Sequence, residues 1–369
     1  MEITTSSSQL YNCLEIAEKA LPVRSTVPMI NGILFEINED NLTFSSTNLE
    51  MAIRVSMDYH GSGKGKILLP PKLVDVMRYF PVPEVNLNIN WDNYRIDISG
   101  GSSHFNLNGA DSQDYPTAVF SQIEPENSFT IEQDKLKKIL RSVIFAASSE
   151  ETRPAFNGIL FSFNDQKITL TASDTYRLVI KEIQDEHWAF EARNCLIPAR
   201  VMREFLRIID DNEHEVAIGF DNKSIAFNFE RIIFTSRLLE EKYPDVSGVI
   251  PKAYKTRIKI DRKMLEEVIS RAALLAEGKN QAVNLILNNN QLEASVSGQE
   301  GSMEELMPVE QDGENINLHV NTRFVLDILK ILDDKEILID FHGNDGPLIF
   351  KLVKGQGYLY LVLPIKKIN

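Results

Sequence analysis

The sequence predicts an α+β protein of three repeated modules, each a sheet with two helices packed on one face. Three observations predict it. The segment Asn31-Gly-Ile-Leu-Phe-Glu-Ile-Asn38 returns as Asn157-Gly-Ile-Leu-Phe-Ser-Phe-Asn164, and more faintly as Val283-Asn-Leu-Ile-Leu-Asn288. Each copy follows a stretch with helical apolar spacing and precedes a second such stretch. Strand patterns outnumber helix patterns throughout, which favours a sheet with helices segregated to one side. A self-repeat with a period of roughly 125 residues marks one supersecondary unit used three times. Three modules of that size fit the 369-residue chain, each large enough for its own core.

Each module opens with an amphipathic helix. Leu10, Cys13, Leu14 and Ala17 recur at i, i+3, i+4, i+7; Leu136, Ile139, Leu140, Val143 and Ile144 repeat the pattern, and Leu265, Val268, Ile269 and Ala272 carry it in the third copy. Alternating strands follow: Val283, Leu285 and Leu287 answer Ile33, Phe35 and Ile37, and Leu292 answers Leu42 and Ile168. The polar turns Asn38-Glu-Asp-Asn41, Asn164-Asp-Gln-Lys167 and Asn288-Asn-Asn-Gln291 suit hairpins. Second helices are expected over 71–80, 199–209 and 322–332, after the aligned lead-ins Leu69-Pro70, Ile197-Pro198 and Val320-Asn321. Polar or proline-containing joins at 124–127 and 251–254 set the modules at 1–125, 126–253 and 254–369.

Cys13 and Cys195 lie far apart in apolar stretches, so they are expected to pack rather than bridge, which suits a reducing cytoplasm. The N-terminus has no basic-then-apolar leader, and no apolar run is long enough to cross a bilayer; both predict a soluble cytoplasmic protein without membrane contact.

A net charge of −14 argues at first against a nucleic-acid partner, but the average hides a division. The helix windows 7–21, 71–80, 135–148, 199–209, 262–276 and 322–332 hold fifteen Lys or Arg against seven Asp or Glu, a net of +8 that leaves −22 on the remainder. Arg200, Arg203 and Arg207 form a stripe distinct from the apolar Met202, Phe205, Leu206 and Ile209, and Lys137, Lys138 and Arg141 cluster similarly. On one helix such a run is usually a solvated face. On a set of helices in an acidic chain it reads as a shared surface for phosphates, sequence-blind and salt-sensitive. No aromatic residues interleave the stripes, which speaks against single-strand stacking.

Signs of catalysis are absent. Gly61-Ser-Gly-Lys-Gly-Lys66 lacks phosphate-loop spacing and leads into a strand, so a hairpin is expected. The six histidines show no metal-binding pairing, and no Cys/His cluster has zinc spacing, so no metal or cofactor is expected. Ser173-Asp174-Thr175-Tyr176-Arg177 lacks a nucleophile elbow and reads as a turn after a strand. Glu240-Glu241 and Glu304-Glu305 read as solvated pairs.

Taken with the triplication, Arg24-Ser-Thr-Val-Pro-Met-Ile-Asn-Gly32, Arg153-Pro-Ala-Phe-Asn-Gly158, the 171–178 segment, Lys242-Tyr-Pro-Asp245 and the ending Tyr360-Leu-Val-Leu-Pro-Ile365 give a specific pattern in order and spacing. Over its whole length the chain resembles the beta subunit of bacterial DNA polymerase III, the sliding clamp family. The resemblance implies the DNA clamp fold: a head-to-tail homodimer closing a six-module ring around duplex DNA, with helices lining the hole, sheets outside, and no enzymatic activity. It further implies DNA-facing roles for Arg24, Lys72, Arg200 and Arg207, with smaller ones for Lys137, Arg141 and Arg203.

By the same resemblance, Phe105 and Leu107 meet Leu274 and Leu275 of the second copy, with Glu300, Glu304 and Glu305 near that seam. The competing reading puts these apolar residues in their own module cores. A pocket for short peptides of the polymerase III alpha subunit, the clamp loader, other polymerases and repair proteins is implied at Phe156, Thr175, Tyr176, Arg177, Leu178, Pro244, Val249, Asn321, Phe324, Pro347, Leu361, Val362, Leu363, Pro364 and Ile365. Read alone, that C-terminal apolar run is a final strand. Gly248, where relatives often carry a long side chain, and Ala155, where an aromatic is common, depart from the pattern and bear on peptide preference and one DNA contact. The alternative is a monomeric three-module interaction scaffold that does not encircle DNA.

Overall fold

Six helices among the described residues follow from the apolar spacings: α1 (Ser7–Glu18), α2 (Lys72–Arg78), α3 (Gln133–Ile144), α4 (Ala199–Phe205), α5 (Arg262–Leu275) and α6 (Thr322–Leu329). The computed structural model describes residues 1–61, 63–120, 128–150, 152–278, 281–353 and 357–366. All thirteen apolar residues that predicted α1, α3 and α5 are buried. Side-chain caps start three of the helices: Ser6 accepts from Gln9 N, Asp261 from Met264 N, and Asn321 from Arg323 N and Phe324 N. The second helices end two to four residues earlier than their windows suggested, because their last residues tighten into hydrogen-bonded turns.

Each module runs strand, helix, four strands, helix, three strands; the third inserts one short strand, Glu310–Gly313. The four central strands always pair in the order fourth, first, second, third, and the opening strand always pairs with the first of the last three. The 288–291 hairpin behaves as its asparagines predict. Asn289 and Asn290 both have left-handed backbone, at φ +48° and +62°, which matches the twist of a two-residue hairpin. The repeated Asn-Gly has a steric cause. A Cβ on Gly32 would sit 2.9 Å from the Leu69 carbonyl oxygen, and one on Gly158 would sit 2.6 Å from Leu196 Cδ1.

One expectation fails: a module does not own a single sheet. Among the described residues there are four sheets, and two of them are shared between modules. The reason is edge pairing, since an unpaired strand edge is a template that the neighbouring module fills. The chain divides into two compact units, one of residues 1–137 and 201–238, the other of 138–200 and 239–369. The first unit holds a four-stranded sheet ending at Ser103–Asn108, and an eight-stranded sheet in which Met51–Asp58 of module one pairs with Ile232–Arg237 of module two. Its core includes Phe35 stacked on Phe44 and Phe205 ringed by Phe227, Phe229 and Phe234. The second unit holds a nine-stranded sheet in which Arg177–Gln184 of module two pairs with Tyr358–Val362 of module three, and a four-stranded sheet ending at Ser302–Pro308. There α5 and α6 pack side by side.

The expected join at 124–127 lies outside the described residues, and 251–254 is an irregular stretch before the strand Thr256–Asp261. Cys13 and Cys195 are buried and not joined in a disulfide, and burial pushes the Cys13 thiol up to about 11, only partly offset by Arg231. Among the described residues no helix is long and apolar enough to cross a membrane.

Candidate functional site

The second unit carries an apolar surface where two modules share a sheet. Strand alternation decides which side chains build it. Leu178 and Leu361 are register partners, and with Ile349 they form a buried cluster flanked by Ile180, Val246, Ile250 and Leu359. Around this floor stand exposed apolar groups: Tyr176 is 59% exposed, Val249 57% and Leu363 41%, with Pro244 also exposed. The Leu363 amide donates to the Tyr176 carbonyl at 2.9 Å, and Ile365 N donates to His319 O at 2.7 Å, which holds the C-terminal segment along the rim. Pro347, Pro364 and Ile365 are half-buried. No side chain stands near Gly248: a Cβ there would meet nothing within 4 Å.

Two residues of the expected pocket lie on the other face of the same strands. Val362 and Arg177 are register partners and both are buried, so neither lines the outer surface. Arg177 turns inward and is only 7% exposed. Its Nε donates to Asp174 Oδ2 at 2.9 Å, Nη1 to Asp327 Oδ2 on α6 at 2.6 Å, and Nη2 to the Phe145 carbonyl at 2.6 Å. The guanidinium also lies 4.5 Å from the Phe324 ring centroid and 5.4 Å from that of Phe145. Burial opposes its charge, but Tyr360 together with the carboxylates of Asp327 and Asp174 outweighs it, and the arginine is driven further toward the protonated form.

The 173–177 turn is tightly held, as its sequence implied. Asp174 Oδ1 accepts from the amides of Tyr176 and Arg177, both at 3.0 Å. Thr175 has φ +77°, a strained conformation for a β-branched residue. Ser173 Oγ, accepting its amide, and Arg153, donating to its hydroxyl at 2.8 Å, hold it there. Phe156 packs edge-on to Tyr243 at 5.5 Å, while Asn321 and Phe324 belong to the start of α6.

The basic residues divide more sharply than their spacing implied. In the first unit Arg24, Lys72, Arg203 and Arg207 are exposed, although Lys72 pairs with Asp75 at 2.9 Å and Arg207 with Glu204 at 2.9 Å. Lys137 is buried. It lies four residues after buried Gln133 and three before buried Leu140, so its stem joins the core face of α3 and its ammonium pairs with Asp211 at 2.9 Å. Lys138 takes the exposed position instead, a distinction readable from the apolar stripe of α3 alone. In the second unit Arg141 and Arg200 are exposed.

Two sheet edges carry exposed apolar side chains. On Ser103–Asn108, Phe105 is 39% exposed and stands 6.3 Å from Phe80, and Leu107 is half-buried. On the edge Ser302–Pro308, Leu306 is exposed, a feature the sequence reading did not single out. Glu305 is gripped by Arg271 through two contacts of 2.6 Å, which holds its carboxyl below the usual range; Glu300 and Glu304 are exposed. At the end of α5, Leu274 is 80% exposed and Leu275 half-buried.

Comparison with known proteins accounts for the whole chain. The N-terminal, central and C-terminal domain families of the DNA polymerase III beta subunit match residues 1–119, 130–245 and 247–366. The beta sliding clamp of Staphylococcus epidermidis is 30% identical over 378 aligned residues covering 99% of each chain, and that of Staphylococcus aureus is 29% identical with the same coverage. Among solved structures, the DNA polymerase sliding clamp of Bacillus subtilis superposes with a TM-score of 0.94 at 28% identity, covering 100% of this chain and 99% of that one. The Thermotoga maritima beta subunit, 24% identical and 99% covered on both sides, gives 0.89 and supports the fold alone. Three family domains matched in this order and two module–module sheets lead to one conclusion: the chain belongs to the DNA polymerase III beta subunit family, the sliding clamps, which are processivity factors of DNA replication rather than enzymes.

Proposed function

We propose that two copies of this chain close head to tail into a ring around duplex DNA, so that a polymerase bound to the ring is held to DNA by enclosure. One observation carries the reading. Both seams between modules obey a single rule: the third central strand of one module pairs antiparallel with the last strand of the next, as Met51–Asp58 does with Ile232–Arg237 and Arg177–Gln184 with Tyr358–Val362. Applied once more, the rule joins the third central strand of module three, Ser302–Pro308, to the last strand of module one, Ser103–Asn108, in another copy. A heterologous contact of this kind closes a ring when the rotation allows.

The internal seams also supply the register. Phe234 faces Ile53 and Tyr360 faces Val179; the equivalent pair is Phe105 with Met303 of the second copy. Phe145, at the end of α3, lies 5.4 Å from Tyr360, and Leu274 occupies the matching place on α5. Leu274, Leu275, Phe105 and Leu107 therefore form the apolar part of the seam. The module limits 1–125, 126–253 and 254–369 follow the same rule.

Within the ring, Arg24, Lys72, Arg141, Arg200, Arg203 and Arg207 face phosphate without reading bases, which makes contact sequence-independent and salt-sensitive. The floor formed by Leu178 and Leu361, rimmed by Tyr176, Pro244, Val249 and Leu363, suits an aliphatic or aromatic peptide anchor. Its partners are short segments of the polymerase III alpha subunit, the clamp loader, other polymerases and repair proteins. Thr175, Phe156, Asn321, Phe324, Pro347, Pro364 and Ile365 border it. The monomeric scaffold is not favoured by the family. Scattering with absolute mass tests the ring: two chains and a hollow distance distribution are expected, and a monomer at working concentration overturns it. Removal of 363–369 is expected to abolish binding of the alpha subunit while preserving the dimer mass.

A further inference from the structure

Arg177 lies beneath the proposed groove, buried, and its contacts tie together three parts of it: the 174–176 turn, helix α6 and the C-terminal segment. Through Nε it holds Asp174, whose other oxygen fixes the Tyr176 and Arg177 amides. Through Nη1 it holds Asp327 and so helix α6, whose first turn contains Phe324. The Phe324 carbonyl accepts from the Tyr360 hydroxyl at 2.9 Å, which anchors the C-terminal strand. That strand runs on to Leu363, whose amide returns to the Tyr176 carbonyl. Rim, helix and tail are thus joined through one buried guanidinium.

We propose that Arg177 is the positioning residue of the peptide groove: it touches no peptide, and sets the spacing between the 174–176 turn, helix α6 and the C-terminal segment. This rests on the groove reading above and deepens it. The left-handed backbone of Thr175 lies beside exposed Tyr176, within the turn that Asp174 closes. The role demands arginine. A guanidinium offers several donors in one plane to three separate acceptors while its faces lie against Phe324 and Phe145, and a lysine ammonium matches neither the fork nor the stacking.

The test uses the full-length dimer and the purified polymerase III alpha subunit of the same organism, with affinity measured by surface plasmon resonance. Arg177→Lys and Arg177→Met are each expected to weaken binding at least tenfold. Asp327→Ala, a change on α6 outside the groove that leaves Arg177 in place, is expected to weaken it severalfold, although a direct peptide contact by Arg177 predicts no loss there. Hydrogen exchange supplies the second readout. The Leu363 amide and those of 176–177 should exchange faster in all three variants while the dimer mass stays unchanged. Wild-type affinity in Arg177→Lys overturns the proposal, as does weakened binding in Arg177→Met with unaltered exchange, which would make Arg177 a direct contact. If the wild-type ring fails to bind the alpha subunit, the groove reading falls and takes this proposal with it. If removal of 363–369 abolishes binding but the Arg177 variants do not, only the positioning role falls.

Discussion

Phe234 and Phe105 hold the same place in two copies of one module, the third residue of the last strand, yet one is fully buried and the other is 39% exposed. Tyr360, at the same place in the third copy, is also fully buried. Local sequence does not explain the difference, because all three strands are apolar and aromatic at that point. Company explains it. Phe234 and Tyr360 have a neighbouring module's strand beside them, and among the described residues Phe105 has none. The comparison separates what the module specifies, an aromatic knob on an edge strand, from what assembly must supply, the strand that covers it.

The sharpest way to break the comparison is to charge the uncovered edge. Phe105→Glu is expected to raise the dimer dissociation constant about 1000-fold, since a ring contains this residue twice and each burial is worth roughly 2 kcal/mol or more. Sedimentation over a concentration series reads this directly, and an unchanged dimer would remove Phe105 from the seam. Truncating the covered knob tests the other side. Phe234→Ala should cost about 3–5 kcal/mol of folding stability through cavity formation, whereas Phe105→Ala in a monomeric background should cost less than about 1 kcal/mol. Urea titrations of the two variants that gave equal losses would mean Phe105 belongs to a core of its own.

A smaller effect is expected from the exposed cations. Neutralising Arg200, Arg203 and Arg207 together should weaken loading or retention on nicked circular DNA about tenfold, with the melting temperature unchanged. Retention equal to wild type would count against that surface.

Acid distinguishes sheet interior from sheet edge most finely. Asp340 is 2% exposed; burial works against its charge, but Arg257 and Lys351 more than compensate and hold its carboxyl below the usual range. A depressed folded value means that its stabilisation is complete above the unfolded carboxylate range and is lost as pH falls through the folded value. Asp340→Asn should therefore lower stability at neutral pH and flatten the acid limb of the unfolding curve. Glu305, at the open edge, is depressed by Arg271 in the same direction, but a partly solvated pair should leave that limb nearly unchanged when replaced by Gln. Thermal scans between pH 2 and 7 compare the two.

Much of this architecture was legible in the residues. The repeated Asn-Gly-Ile-Leu-Phe placed the central strands, and helical spacing found the buried faces of α1, α3 and α5 without error because apolar periodicity is a local property. Sheet membership was not legible. Which strand of one module pairs with which strand of another depends on edges meeting, and no window of sequence contains both. The same limit divides the expected groove. Leu178 and Leu361 could be paired with Arg177 and Val362 as one apolar stretch in sequence, but strand alternation sends the two pairs to opposite faces. The burial of Lys137 and its pairing with Asp211 were likewise hidden, because charge counted along a helix does not say which face carries it.

The two open edges have a consequence for how such a ring gives way. If Ser103–Asn108 of each copy meets Ser302–Pro308 of the other, both joints are built from identical parts, and every substitution weakens them equally. A gate that opens at one joint while the other acts as hinge therefore has no address in the gene. Which joint parts is decided at the moment of opening, by whatever grips the ring. Joining two copies end to end in one polypeptide would break that symmetry and give each joint a separate identity.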